Sequence, residues 1–206
     1  MSPEKMLAPD LEELFHPINN EVTWLHTIWE LYLQLYCATD KNYDIMNSTS
    51  PQFFAILQNV LFEQLILIVG RLTDPPTTLG KENASIAMLI EKVKAHDSLQ
   101  LANSMQKKLD EFRIEHAAFR TWRNKRVNHD DMATLLGKSA DLMPEIPRRQ
   151  AQTAIDQLAG IMNEFSEVLQ GSTQIYKPFM VAKGDGNALL QALQMASGLS
   201  ALEKEA

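Results

Sequence analysis

The residues best suited to chemistry lie in one stretch, Phe119-Arg-Thr-Trp-Arg-Asn-Lys-Arg-Val-Asn-His-Asp-Asp131. Arg120, Arg123, Lys125 and Arg126 fall within seven positions of a chain whose net charge is −7. Any anion-binding surface is therefore a local basic patch on an acidic background. A guanidinium can clamp a phosphate through two parallel hydrogen bonds. A histidine such as His129 is the side chain whose ordinary pKa lies nearest neutrality, so it can carry a proton. On a helix, Arg123 and Arg126 continue the inward stripe of Phe112, His116 and Phe119, whereas Lys125 points elsewhere as a solvated side chain. An inward arginine is costly to desolvate without an anionic partner. A carboxylate meets that need, as in Arg126 with Asp130 or Arg123 with Asp74 or Glu63. A bound phosphate meets it equally well, and the spacing leaves both open. Arg123 and His129 are six residues apart, about 120° around an uninterrupted helix. They converge if the helix ends near Val127, or if a symmetric dimer brings two copies of the motif into one cleft.

Other chemistries find little support. The chain has neither a Gly-rich phosphate loop nor a His-Glu-x-x-His zinc motif. Gly184-Asp-Gly186 reads as a turn. A di-iron bundle needs Glu-x-x-His on two helices; Glu13-Leu-Phe-His16 is one match with no second, so it reads as a solvated glutamate beside a surface histidine, and no metal site is expected. His26 and His96 have no evident ligand set. His116, between Phe112 and Phe119 on the apolar stripe, reads as a hydrogen-bonded core histidine that points the same way as Arg123. The single cysteine, Cys37, excludes an internal disulfide and reads as a small packed residue. Trp24, Trp29 and Tyr32 read as core and dimer surface. The most apolar run, Leu65–Val69, is too short to span a bilayer, and the acidic, proline-bearing amino terminus is unlike an export signal. The expectation is a cytoplasmic protein with no membrane partner.

These residues must be positioned by helices. With 206 residues, 45% of them hydrophobic, the chain can bury a sizeable core, and its eight glycines and lack of β-branched runs argue against a sheet. Helical periodicity runs from Ile18 to Thr39 through Val22, Leu25, Trp29, Tyr32 and Tyr36, with Pro17 ending a short helix before it. Ser50-Pro51 opens a second long helix through Phe54, Leu57, Leu61, Leu65, Ile68 and Leu72, which stops before Pro75-Pro76. Both are apolar over more than one face and read as the buried centre. A short helix carries Ile86, Leu89, Ile90 and Val93. Asp97 with Gln100 reads as a capping box opening a long helix that reaches Arg123. Asp130 to Pro147 is an irregular connection, and the last strong helix spans Pro147 to Gln170 with Gly171 as its stop. A loop and a small helix, Asn187 to Ala196, precede a polar tail. The fold class is all-α, an up-down bundle of four long helices plus short ones. Residues 1–17 form an extension with a short helix, 18–170 the bundle, and 171–206 a carboxy-terminal loop, helix and tail.

Three segments in this order resemble a known group. Arg123-Asn124, then Lys-Arg-Val-Asn, then His129-Asp130 resembles the signature of the HEPN superfamily: arginine, a polar residue, a few variable positions, then histidine. Arg71-Leu-Thr-Asp74-Pro75 and Gly80-Lys-Glu-Asn83 resemble the branch named for the abortive-infection protein AbiU. The resemblance spans about Ile18 to Gln170. It implies a dimeric helical bundle that is a metal-independent endoribonuclease of a phage-defence or toxin–antitoxin system, needing no cofactor. Under it, the RNA 2′-hydroxyl attacks the adjacent phosphate to leave a cyclic phosphate end. His129 assists proton transfer, Arg123 stabilises transition-state charge and Asn124 orients the phosphate or the arginine. Arg126 and Arg120 add substrate affinity, and Asp130 sets the tautomer of His129. RNA, a second copy of the chain and a cognate antitoxin or nucleotidyltransferase are the implied partners. The alternative is a non-catalytic RNA-binding or antitoxin-like regulatory subunit of the same fold.

Overall fold

A computed structural model describes residues 8–127, 143–176 and 184–205 of the chain. The elements run α1 (Pro9–Tyr36), α2 (Asp40–Thr49), α3 (Pro51–Leu72), β1 (Thr77–Thr78), β2 (Lys81–Glu82), α4 (Ile86–Ala95), α5 (Leu99–Glu115) and α6 (Ala117–Trp122). A single π-helical turn (Arg123–Val127), α7 (Arg148–Gln170) and α8 (Gly186–Glu205) follow. The fold is all-α, with one two-stranded hairpin among the described residues. The described residues form two compact units. The first comprises those up to Leu25 and those between Ile66 and Tyr176; the second comprises those from His26 to Leu65 and those after Lys177.

In the first unit, α5 packs against both α4 and α7. Met105 and Leu109 of α5, Leu89 and Ile90 of α4 and Leu158 and Met162 of α7 are buried without measurable exposure. The start of α1 closes this core, with Phe15 stacked on Phe165 at 4.8 Å between centroids. Tyr176 ties the chain after α7 back to α1, its hydroxyl donating to Asn19 Oδ1 at 2.6 Å. Helix ends are settled locally. Ser85 caps α4 by accepting from the Met88 N–H at 3.3 Å. Gly171, at φ 70°, closes α7 with the paired bonds Ser172 N–H to Ser166 O and Gly171 N–H to Glu167 O.

The second unit is held by aromatic stacking and by polar side chains that satisfy loop backbone. Trp29 and Tyr32 stack at 5.6 Å and Tyr32 meets Tyr36 at 5.3 Å. The Tyr36 hydroxyl donates to the Phe54 carbonyl at 2.8 Å. Gln34 serves two segments: its carbonyl accepts from Asn42 Nδ2 at 2.9 Å, and its side-chain oxygen accepts from the Gly186 N–H at 3.0 Å. α2 and α8 pack together.

Several local expectations give way to packing. Pro17 lies inside α1 instead of ending a helix. Its missing N–H and its clash with the preceding turn cost about 3 kcal/mol, and the fully buried flanking residues Phe15 and Ile18 offset this. α2 follows from no periodic apolar pattern; Met46 is its one buried residue. The Asp97–Gln100 capping box does not form: Asp97 takes φ 57° and Ser98, without a side-chain cap bond, stands at the N-cap of α5. The helix expected to reach Arg123 without a break turns at His116. α8 is longer than the small helix expected there. α3 is long and apolar enough to cross a membrane by length and composition, a property shared with the core helices of soluble proteins. It is not buried throughout, since Phe53, Ile56 and Val60 are exposed.

Two tests follow from this packing. The hairpin pairs Thr77 with Glu82 and Thr78 with Lys81 around Leu79 and Gly80, both at positive φ (51° and 78°), the pattern of a type I′ turn. A leucine is strained there and asparagine is not, so Leu79→Asn is expected to raise stability by about 0.5–1 kcal/mol in urea unfolding. Burial, reinforced by the Tyr32 and Tyr43 hydroxyls, pushes the Tyr36 hydroxyl up to about 12. The folded state prefers its neutral form, so that stabilisation is complete below pH 10 and fades as pH rises toward 12. Tyr36→Phe is expected to cost about 1 kcal/mol at pH 8 through the lost hydrogen bond. It should also lessen the fall in stability between pH 10 and 12.

Candidate functional site

The site is built on the carboxy-terminal end of α3, where the residues of Arg71-Leu-Thr-Asp-Pro75 act in different ways. The Arg71 guanidinium donates to Glu21 Oε2 at 2.9 Å, anchoring the helix end to α1. Leu72 is buried. The Thr73 hydroxyl donates back to the Val69 carbonyl at 2.8 Å. The Thr73 carbonyl, left without a helical donor, accepts from Arg113 Nη2 at 2.8 Å and Nε at 3.2 Å. Pro75 cannot continue the helix. The hairpin is tied to this end by Asn83, whose side-chain amide donates to the Pro75 carbonyl and Thr78 Oγ1, each at 2.8 Å.

The Asp74 carboxylate receives both terminal nitrogens of Arg123. Nη1 contacts Oδ1, and Nη2 donates to Oδ2 at 3.0 Å. This is the bidentate fork that a guanidinium favours. Both side chains are largely withdrawn from water, with 23% and 21% exposure. Arg123 reaches Asp74 by lying across α3 at Gly70. A Cβ there would collide with the Arg123 Cδ and stand 3.0 Å from its Nε. Glycine costs α3 some helical stability, and the gain is a backbone flat enough for the arginine to cross.

The arginine comes from the π-helical turn, which begins at Arg123 and also carries Asn124, Lys125 and the backbone of Arg126. Such turns recur where a helix has been locally rewound at a functional position. Just before it, the Trp122 indole donates to the Pro144 carbonyl at 2.7 Å, fixing the end of α6. Asn124 is exposed, and Lys125, expected to be solvated, is partly buried. His129 and Asp130, and most of the 130–147 connection, lie outside the described residues.

A pocket of about 390 Å³ opens beside the pair. Its lining includes Gly70, Asp74, Glu91, Phe112, Arg113, His116, Phe119, Arg120 and Arg123. Three guanidinium groups face two carboxylates, so it carries a modest positive excess on an acidic protein. Arg120 is exposed and makes no ion pair among the described residues. His116 is the hydrogen-bonded core histidine expected, its Nε2 lying 2.9 Å from Gln157 Oε1. Gln157 in turn donates to Glu115 Oε2 at 2.9 Å. Among the described residues, no three His, Cys, Asp or Glu side chains gather as metal ligands; His16 is exposed and pairs with Glu12 at 3.5 Å.

The structure thus brings Arg120 and Arg123 to one pocket, whereas Asn124, exposed on the same turn as Arg123, does not line it. Of the carboxylates open to Arg123 in the sequence, Asp74 and not Glu63 pairs with it. Sequence reasoning missed Gly70, Arg113 and Gln157. Gly70, a lone glycine in an apolar helix, was a readable signal of close approach; Arg113 and Gln157 carry none.

An all-helical fold with an arginine-led motif on a pocket wall, fed by the helix end and hairpin that precede it, defines a HEPN-like protein. Residues 8–182 match the family described as HEPN_AbiU2 (AbiU2), and the chain belongs to that family. No curated protein and no solved structure matches it.

The crossing of Arg123 over Gly70 is directly testable. Asp74→Asn is expected to lower stability by about 1–3 kcal/mol, between the values for exposed and buried pairs. Gly70→Ala should destabilise in the wild-type background and add little once Arg123→Ala has removed the obstacle. A double-mutant cycle in urea reads this coupling. Strict additivity of the two changes would show that Arg123 does not lie on Gly70.

Proposed function

We propose that the chain is a metal-independent endoribonuclease of a phage-defence or toxin–antitoxin system. It works in the cytoplasm as a homodimer, with a cognate antitoxin or nucleotidyltransferase restraining it. The observation that carries this reading is Arg123, first residue of the motif, held half-buried on a pocket that Arg120, exposed and without an ion pair among the described residues, also lines. The Arg123 guanidinium, fixed by Asp74, supplies preorganised positive charge where a phosphate gains negative charge during reaction, and the exposed Arg120 adds to it. The 2′-oxygen of RNA forms a new bond to phosphorus and the bond from phosphorus to the 5′-oxygen breaks. The products are a 2′,3′-cyclic phosphate and a 5′-hydroxyl. His129 takes the 2′ proton, and the same residue of the second copy returns a proton to the leaving oxygen. Asn124 orients the phosphate, Arg126 adds affinity and Asp130 holds the His129 tautomer.

A second reading is favoured by the ion pair itself. Both terminal nitrogens of Arg123 are taken by Asp74, as in a structural arginine of a non-catalytic RNA-binding or antitoxin-like subunit. Purified protein incubated with RNA in excess EDTA separates the two. The nuclease is expected to yield cyclic-phosphate ends, and His129→Ala to slow cleavage by about 10²–10⁴-fold without changing the thermal unfolding temperature. RNA binding that weakens with salt, with no cleavage by either protein, would overturn the nuclease in favour of the binding subunit.

A further inference from the structure

A guanidinium is a flat group with three sides, and the structure accounts for two of those of Arg123. The end, Nη1 with Nη2, is taken by the Asp74 carboxylate. The flank of Cδ, Nε and Nη1 lies against Gly70, these being the atoms nearest to where a Cβ would stand, Nε at 3.0 Å and Nη1 at 3.1 Å. The third side is the edge of Nε–H and the outer Nη2–H. Nη1 is the terminal nitrogen on the Cδ side of the plane and Nη2 the one on the Nε–H side, so this edge points away from Gly70. An arginine carries five N–H donors, and the fork to Asp74 uses two of them. Among the described residues the buried side-chain polar atoms without a partner are His26 Nε2, His116 Nδ1 and Glu164 Oε2. Arg123 Nε also donates to no protein atom there, and since it is not one of these buried atoms it is open to solvent.

An open Nε–Nη2 edge is itself a two-pronged donor for an oxyanion. Arg123 lines the pocket of about 390 Å³, and so does the exposed Arg120 three residues earlier. A phosphodiester entering here meets two guanidinium charges and one carboxylate, and its own charge makes the set neutral. It can therefore bind without expelling Asp74. Expulsion would leave the carboxylate, 21% exposed, without its guanidinium, and would free an arginine that folding has already fixed. We infer, resting on the reading that the Arg123 segment acts on RNA phosphate, that Asp74 is a positioning residue of that reaction. It holds the end of Arg123 throughout, and the phosphate is taken by the Nε–Nη2 edge. A lysine cannot replace the arginine in this arrangement, because an ammonium has no second fixed edge to offer once the carboxylate is paired.

The test uses the full chain with a 2′-O-methyl oligoribonucleotide, which lacks a free 2′-hydroxyl and so binds without being cleaved. Nitrogen-15 labelling of arginine follows the Arg123 Nε–H, and carbon-13 labelling of aspartate follows the Asp74 carboxylate. The oligonucleotide is expected to move the Nε–H resonance and to leave the carboxylate resonance near its place. Asp74→Asn should weaken binding about tenfold and slow RNA cleavage in EDTA about 10²-fold, the cost of a misplaced catalytic group. Arg123→Lys should lose binding as fully as Arg123→Ala. Tyr36→Phe, which lowers stability in the second unit, should change neither binding nor cleavage. An unmoved Nε–H in the bound chain would overturn the assignment. So would an Asp74 resonance shifted as far as Arg123→Ala shifts it, since phosphate would then have displaced the carboxylate. These two readings use the wild-type chain and stand even if Asp74→Asn fails to fold. Cleavage by Asp74→Asn at the wild-type rate would overturn the positioning role while leaving the nuclease standing. A moved Nε–H with no cleavage of ordinary RNA would support the positioning role and remove the nuclease. No binding of the oligonucleotide would overturn both.

Discussion

The ion pair between Arg123 and Asp74 is the contact on which the arrangement of the site depends. It joins positions 49 residues apart in sequence and can form only because Gly70 lets the arginine cross α3. Around it the other contacts fall into order. Arg113 satisfies the carbonyl of Thr73 one residue before the aspartate, Arg71 anchors the same helix end to α1, and Asn83 binds the hairpin to the prolines that follow. The end of a helix, normally a place of unpaired carbonyls, is here fastened from three sides. A fork that stays two-pronged needs such a fixed base, because a carboxylate on a fraying helix end would lose geometry faster than charge.

This gives the two segments preceding the arginine motif a structural part in the site. Arg71 to Pro75 supplies the counter-charge and its anchorage, and Gly80 to Asn83 supplies the turn and the amide that hold the hairpin against it. They are parts of the cradle for Arg123. The carboxylate and a phosphate are chemically alike as guanidinium partners, so the same geometry serves a structural pair and a substrate clamp.

Much of this was legible in the sequence, for identifiable reasons. Long apolar stripes gave α3, α5 and α7, because burial of a continuous face outweighs every local preference along it. Gly171 and Pro75 marked helix ends through backbone constraints that few other residues share. Asp74 stood among the carboxylates able to meet Arg123. What stayed hidden depended on tertiary partners. Pro17 runs through α1 because buried neighbours on both sides hold it there. The break at His116 follows from a ring that must reach Gln157 on α7, and α2 has one buried residue and so leaves almost no periodic trace.

The π-helical turn from Arg123 to Val127 has a bearing on how such motifs should be compared across proteins. Its bonds close over five residues where an α-helix closes over four, so it holds one more residue in the same arc. Removing a residue there would rewind the segment as ordinary α-helix while α6 stayed where it is. The count of positions after the arginine is therefore a poor ruler for direction. Two relatives with different gaps downstream of it can aim the following side chains alike, and two with equal gaps can aim them differently.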